Sequence, residues 1–272
     1  MKIKLWLDPT CRKSFTRDRL FDEVAEIEKN AKEEDIYRRG PGRVTLRFER
    51  KGKTFFLKRH TGVGWGEIIK ELLQFRLPVI SAMNEWRALE RLLILNIPTL
   101  SPVAYGCRGL NPARKESFII THEMGNTISL EDLVNTWLLE PDPIHLKREV
   151  LLQVARIARR LHLAGINHRD LYICHLYLSH EWMEIRAGDP EIHVIDLHRA
   201  QIREEVPERW LIKDVASLYY SSMGVGLTRR DYLRFIREYR DMPLRDTLEQ
   251  EKEFWQAVQE RADKLYAKPV VD

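Results

Sequence analysis

The sequence predicts an α+β fold in two lobes, a β-containing first lobe over residues 1–123 and a larger helical second lobe over 124–272. Three observations carry this. Strand-like alternation is concentrated in the first half, around a hairpin pattern at 44–58. Helical periodicity returns at 129–138 and 145–164 and, after a mixed stretch, runs from Asp214 to about 267. The 272 residues, 44% hydrophobic and 32% charged, suffice for two small lobes with real cores and argue against long disorder.

Each element follows from local pattern. Residues 18–34 read as an amphipathic helix, with Leu20, Phe21, Val24, Ile27 and Ala31 on one face. Leu46 and Phe48 alternate with polar residues, Lys51-Gly52 breaks the run, and Phe55 and Leu57 resume it, which is a hairpin signature. Helices follow at 65–75 and 81–95, separated by Pro78. The stretch SFIITHEM is a short strand, and its end in the 120s is the expected hinge. Ser129 caps a helix at 129–138 with acids in its first turn. A long helix at 145–164 carries Leu146, Val150, Val154, Ile157 and Leu161 and stops at Gly165. IHVIDLH is a strand, and from Asp214 onward the pattern is helical.

Composition narrows the function. Net charge is +4, too small to imply nucleic-acid binding, and no such partner is expected. The charge is uneven, however. From Arg38 to Arg76 there are eleven Lys or Arg against three acids, an excess that would attract phosphates or an anionic membrane surface. The segment GWGEIIKELLQFRLPV, with Trp65, Ile68, Ile69, Leu72 and Leu73, is a candidate membrane-facing helix, or equally one packed on the first lobe. Three cysteines without a CxxC pair suit a reducing compartment. The N-terminal apolar stretch is too short for a signal sequence, and no run approaches a membrane span. A cytoplasmic protein is expected, with peripheral contact at an anionic membrane surface.

Four polar residues stand where the apolar pattern predicts burial. Lys58 ends the second hairpin strand, and Glu85 interrupts a stripe of Ala82, Trp86, Leu89, Leu92 and Leu93. A carboxylate on that stripe is costly unless a cation meets it, and Lys58 is the candidate partner. Asp170 follows a turn within INHRDLYICHLYL, with apolar residues on both sides, and Asp196 closes IHVIDLH. Two neighbouring carboxylates resist joint ionisation unless a cation lies between them. Magnesium with a nucleoside triphosphate meets that need and gives the lysine and the basic loops a purpose.

This order resembles the protein-kinase fold: a lysine on a strand, a glutamate on a following helix, HRD, then an aspartate after an apolar strand. NHRDLYICH with VIDLHRAQIR is similar, more specifically, to the lipopolysaccharide core heptose kinases of Gram-negative bacteria. So are TISLEDL, GWGEIIK through LPVISAMNEW, KDVASLYYSSMGVGLTRRD and PLRD. The resemblance implies a bilobal kinase-like fold and ATP with Mg²⁺. It also implies a glycolipid acceptor from the lipopolysaccharide core, with heptose I the expected target. Asp170 would take or orient the proton of the sugar hydroxyl, and Asp196 would hold Mg²⁺. Lys58 would contact the nucleotide phosphates and pair with Glu85. Asp214 would brace the HRD loop, with His168 and Arg169 as scaffold.

Two departures from the kinase pattern stand out. His175 occupies the place of a magnesium-binding asparagine beside the nucleotide, and imidazole is a poor magnesium ligand. The loop RRGPGRV keeps only Gly40 and Gly42 for cradling phosphate, and Pro41 removes one donor. Five of nine histidines fall between His168 and His198, yet no HxxxH or CxxC spacing supports a zinc or iron site. Three alternatives stay open: a protein tyrosine kinase, a kinase for another inner-core sugar, and an inactive kinase-like assembly factor.

Overall fold

The first half of the chain builds a single antiparallel sheet, in a computed structural model that describes residues 3–40, 42–73, 80–139 and 144–267. Pro41 and Pro78 lie outside the described residues. The chain divides into two compact units, Met1–Glu90 with Leu100–Gly125, and Arg91–Thr99 with Asn126–Asp272.

The first unit opens with strand β1 (Lys4–Leu7) and helix α1 (Leu20–Asn30), followed by β2 (Ile36–Gly40), β3 (Arg43–Arg50) and β4 (Lys53–His60). Helices α2 (Gly64–Leu73) and α3 (Met83–Ile94) precede β5 (Pro102–Arg108) and β6 (Glu116–His122). The six strands run in the order β1-β5-β6-β4-β3-β2, every pair antiparallel. The hairpin expected at 44–58 is the β3–β4 pair, closed by Lys51-Gly52.

One face of the sheet packs on α1. Leu46, Leu57, Phe118 and Ile120 join Leu20, Phe21 and Val24 in a buried cluster. Phe55 stacks on Phe48 at 5.4 Å and meets Phe15 edge-on, so aromatic geometry adds to area burial. Strand alternation turns the next residues to the opposite face. Lys58, Ile119 and Tyr105 are register partners across β4, β6 and β5 and share that face. There Trp86 of α3 stacks on Tyr105 at 4.8 Å and meets Trp6 at 4.9 Å. The first amide of that segment, Ala82 N–H, donates to Ser117 Oγ at 2.9 Å.

Much of the basic excess between Arg38 and Arg76 is neutralised from elsewhere in the chain. Arg47 pairs with Glu123, Arg50 with Glu23, and Arg59 with Glu28 and Glu116. On α2, Ile68 is buried while Trp65, Ile69 and Leu73 are exposed.

The second unit comprises β7 (Thr127–Ser129), α4 (Leu130–Leu139), α5 (Ile144–Leu163), β8 (Ile166–Asn167), β9 (Leu176–Ser179), α6 (His180–Ile185), β10 (Ile192–Val194) and β11 (Gln201–Ile202). It continues with α7 (Glu208–Ser221), α8 (Arg229–Arg240), α9 (Leu244–Gln250) and α10 (Lys252–Tyr266). Ser129 Oγ accepts from Asp132 N–H at 3.0 Å, the cap expected there. Helix α5 buries Leu146, Val150, Val154, Ile157 and Leu161 along one stripe. Gly165 ends this segment at φ 75°, where an added Cβ would lie 1.8 Å from the Arg203 carbonyl oxygen, so only glycine fits.

Residues of α4, α5, α7, α8 and α10 surround a largely apolar cavity of about 640 Å³, lined by Val150, Val154, Leu218, Leu233 and Val258 among others. Lys147, Arg229 and Lys252 also reach it. No described helix is long and apolar enough to cross a membrane.

Candidate active site

Within the first unit, β4 and α3 bring together the two residues singled out there. Lys58 Nζ donates to Glu85 Oε1 at 2.7 Å. Glu85 is only 2% exposed, whereas the Lys58 side chain is 26% exposed, so the pair is sealed on the acid's side and open on the amine's. The sequence explains the placement. Alternation sends Lys58 away from Leu57 and the buried cluster, and the Trp86 stack fixes the first turn of α3 over the same face. Glu85 Oε2 is buried without a partner among the described residues, an oxygen left for a further donor.

Gly40 and Gly42 flank the β2–β3 turn, with Gly40 paired to Arg43. Gly42 has φ 64°, and a Cβ there would meet the Gly62 carbonyl oxygen at 2.1 Å. Its carbonyl also accepts from Thr61 N–H at 2.9 Å. Close backbone packing therefore accounts for this glycine without reference to a phosphate.

Within the second unit, the segment from β8 to β9 carries Asp170 and His175, and the turn after β10 carries Asp196. Asp214, fully buried on α7, organises the first of these. Its Oδ2 accepts from His168 N–H at 2.6 Å and its Oδ1 from Arg169 N–H at 2.7 Å. Two amides bound to one carboxylate hold Arg169 in a left-handed conformation, φ 74°, that a non-glycine residue rarely adopts unaided. His162 lies behind Asp214, with Nε2 at 3.4 Å from Oδ2 and Nδ1 at 2.7 Å from the Tyr239 hydroxyl.

His168 is buried, and burial pushes its imidazole below the usual histidine range. The neutral ring donates from Nε2 to the Ile195 carbonyl at 2.8 Å, tying the HRD segment to the residue before Asp196. His175 makes the second tie. Its Nδ1 donates to the Asp170 carbonyl at 2.8 Å, and its Nε2 lies 3.6 Å from Asp196 Oδ2. Burial alone would lower this imidazole. Cys174, the Asp170 carbonyl and the Asp196 carboxylate outweigh that and raise it to about 9. With Nδ1 committed to the Asp170 carbonyl, His175 braces the loop from beside Asp196.

Asp196 also adopts a left-handed conformation, φ 58°, and its Oδ1 accepts from His198 Nδ1 at 2.8 Å. Asp170 is held by cations that sequence reasoning missed. Arg199 Nη1 donates to both carboxylate oxygens, at 3.1 and 3.2 Å, and Lys213 Nζ lies 3.6 Å from Oδ1. Burial first, then Arg199 and Arg169, holds the Lys213 ammonium below the usual lysine range against the pull of Asp170. The one signal for these residues was their place in the stretches VIDLHRAQIR and KDVASLYY, which carry family resemblance but no spacing rule of their own.

The second unit can supply an acidic acceptor for a hydroxyl proton and an oxygen ligand for a divalent ion, and the first unit, taken by itself, a lysine for phosphates. Comparison with known proteins agrees. Residues 28–239, from before Lys58 to beyond Asp214, match the model of the lipopolysaccharide kinase (Kdo/WaaP) family. The lipopolysaccharide core heptose(I) kinase WaaP of Pseudomonas aeruginosa is 48% identical over 231 residues, 85% of this chain and 86% of that protein. The protein of the same description from Escherichia coli K12 is 46% identical over 244 residues, 90% of this chain and 91% of that one. A solved structure of WaaP in complex with acyl carrier protein is 38% identical and superposes with a TM-score of 0.78, covering 97% of this chain and 99% of that one. The α+β fold expected from the sequence is therefore that of a solved relative, and the chain belongs to the lipopolysaccharide kinase (Kdo/WaaP) family.

Proposed function

We propose that the protein is an ATP-dependent sugar kinase that phosphorylates heptose I of the lipopolysaccharide inner core. The observation that carries this reading is the Asp214-braced loop presenting Asp170, in a chain nearly half identical to heptose(I) kinases over most of its length. Asp170 receives the sugar hydroxyl. The hydroxyl oxygen attacks the γ-phosphorus, and the bond to the bridging oxygen breaks, its electron pair leaving on ADP. The proton passes to Asp170 and then to water. Lys58, held by Glu85, meets the nucleotide phosphates as a point charge.

Magnesium is implied by this chemistry, and the residues fit it in one way. Among the described residues no three His, Cys, Asp or Glu side chains converge on a single ion, so the chain alone makes no cage. Asp196 offers a partly exposed carboxylate, and Mg²⁺ is commonly held by one or two carboxylates plus phosphate oxygens. Asp196 would hold the ion with the nucleotide, and His175, tied through Nδ1 to the Asp170 carbonyl, would steady the segment beside it. Bound there, the ion supplies neutralisation of phosphate charge.

The partner of the solved WaaP suggests one for this chain. We infer that an acyl carrier protein docks on the helical unit and that its acyl chain enters the 640 Å³ cavity, whose walls are mostly apolar and whose basic residues suit an acidic carrier.

The kinase reading is tested by transfer of labelled γ-phosphate to purified inner-core acceptor lacking the heptose I phosphate. The wild type should label it, and Asp170→Ala should lower kcat by about a thousandfold while ADP affinity stays within about twofold. An acceptor left unlabelled by the wild type, or a fully active D170A, would end the assignment.

A further inference from the structure

Arg169 is a buried cation that makes no direct ion pair among the described residues. It is 9% exposed, and among the described residues its Nε has no hydrogen-bond partner. It lies instead over the Trp210 ring, 4.8 Å from the centroid. An aromatic face returns only part of what a guanidinium loses on leaving water.

Its surroundings make matters worse. Burial first, then Arg199 and Arg203, hold Arg169 below the usual arginine range against the pull of Asp170 and Asp214. Arg203 spends its donors on the neutral amide oxygens of Asn167 and Gln201. Arg199 and Lys213 share Asp170. Both oxygens of Asp214 are taken by the two backbone amides. Four cations thus surround two carboxylates, and one of those, Asp170, has to turn to the sugar hydroxyl when the acceptor arrives. The cluster lacks negative charge, and the deficit grows as the reaction begins.

We propose that Arg169, Arg199, Arg203 and Lys213 form an anion site beside Asp170, which takes a phosphoryl or carboxylate group while Asp170 holds the acceptor hydroxyl. This rests on the kinase reading for Asp170. A hydroxyl held about 2.7 Å from Asp170 brings its target phosphorus about 3 Å further on. Lys213 Nζ, 3.6 Å from Asp170 Oδ1, is within a side-chain rotation of oxygens at that place. Two sources share the chemistry: the phosphoryl group in transfer, and an acidic group on the acceptor.

Inorganic phosphate is the first probe, because it needs no turnover and so tests the site even if the acceptor is misassigned. Phosphate should raise the melting temperature of the full chain above that in sodium chloride of equal ionic strength. Lys213→Met and Arg199→Met should each weaken the midpoint of that shift about tenfold. Both side chains are partly exposed, so these variants keep the test alive if Arg169→Gln fails to fold. The source is then separated kinetically. If the site holds the transferring group, Lys213→Met should lower affinity for ADP with aluminium fluoride by about 10–100-fold and leave ADP affinity within about twofold. Lys213→Arg should restore most of it. If the site holds an acidic group of the acceptor, the variant should instead raise KM for the acceptor about tenfold, and methyl esterification of the acceptor should erase the difference. A Lys213→Met enzyme with the phosphate shift, the fluoride complex and the acceptor KM all unchanged overturns the proposal.

Discussion

At the scale of single residues, the Lys58–Glu85 pair shows why the two halves of an ion pair are not equivalent. Glu85 is sealed in, while Lys58 keeps a path to water. Lys58→Met strands a buried carboxylate and should cost about 2–4 kcal/mol in urea unfolding, whereas Glu85→Met leaves an amine that can turn outward and should cost roughly half as much. Equal losses would show that the acid is solvated after all. The pair was legible in the sequence because each member broke an apolar pattern. Asp170 and Asp196 were singled out for the same reason, and both are partly exposed where the apolar pattern predicted burial. Arg199 and Lys213 were not singled out. A basic residue in a charged stretch reads as solvated surface, and only the folded loop brings these two, from α7 and from the turn after Asp196, onto Asp170.

At the scale of elements, periodicity exposed the amphipathic pieces and hid the rest. The β3–β4 hairpin and helices α1, α3 and α5 alternate or repeat in the sequence as they do in burial, whereas α2 leaves Trp65, Ile69 and Leu73 exposed. Strand β5 was missed because it is central: Val103 to Cys107 are all buried, so no polar residue marks its period. Strand β2 was missed for the opposite reason, being an edge strand with Tyr37 to Gly40 all exposed. Helix α8 carries the clearest local device. Thr228 Oγ1 accepts from Asp231 N–H, Asp231 Oδ2 accepts from Thr228 N–H at 2.9 Å, and Lys147 lies 3.0 Å from the same carboxylate oxygen. Burial would raise Asp231. The Thr228 hydrogen bonds and Lys147 overcome this and lower it to about 2. A depressed carboxyl stabilises the fold above its unfolded value near 4 and loses that contribution as pH falls through about 2. Asp231→Asn should therefore cost about 1–2 kcal/mol at pH 7. Denaturant melts at pH 7, 4 and 2 should show the gap from wild type closing only at the acid end. A gap independent of pH would assign the cost to packing.

At the scale of the whole molecule, the α+β class followed from where strands and helices fall along the chain, but the cavity did not. Val150, Val154, Val215, Leu218 and Val258 each read as ordinary core positions, and periodicity says that a face is apolar without saying what fills the space it faces. Proteins close-pack their interiors, so an apolar hollow of this size forgoes contacts that its walls would otherwise make. Val154→Trp should fill part of it, raising the melting temperature by a few degrees while abolishing capture of acylated carrier protein. A variant that still binds the carrier would place the fatty chain elsewhere. With the proposed acyl chain as its guest, the hollow would also tie durability to supply. A guest that enters only the folded form adds to its folding free energy in proportion to the logarithm of its concentration, so a loaded enzyme would outlast a bare one. A cell short of acyl chains would then hold less of the enzyme, with no dedicated sensor involved.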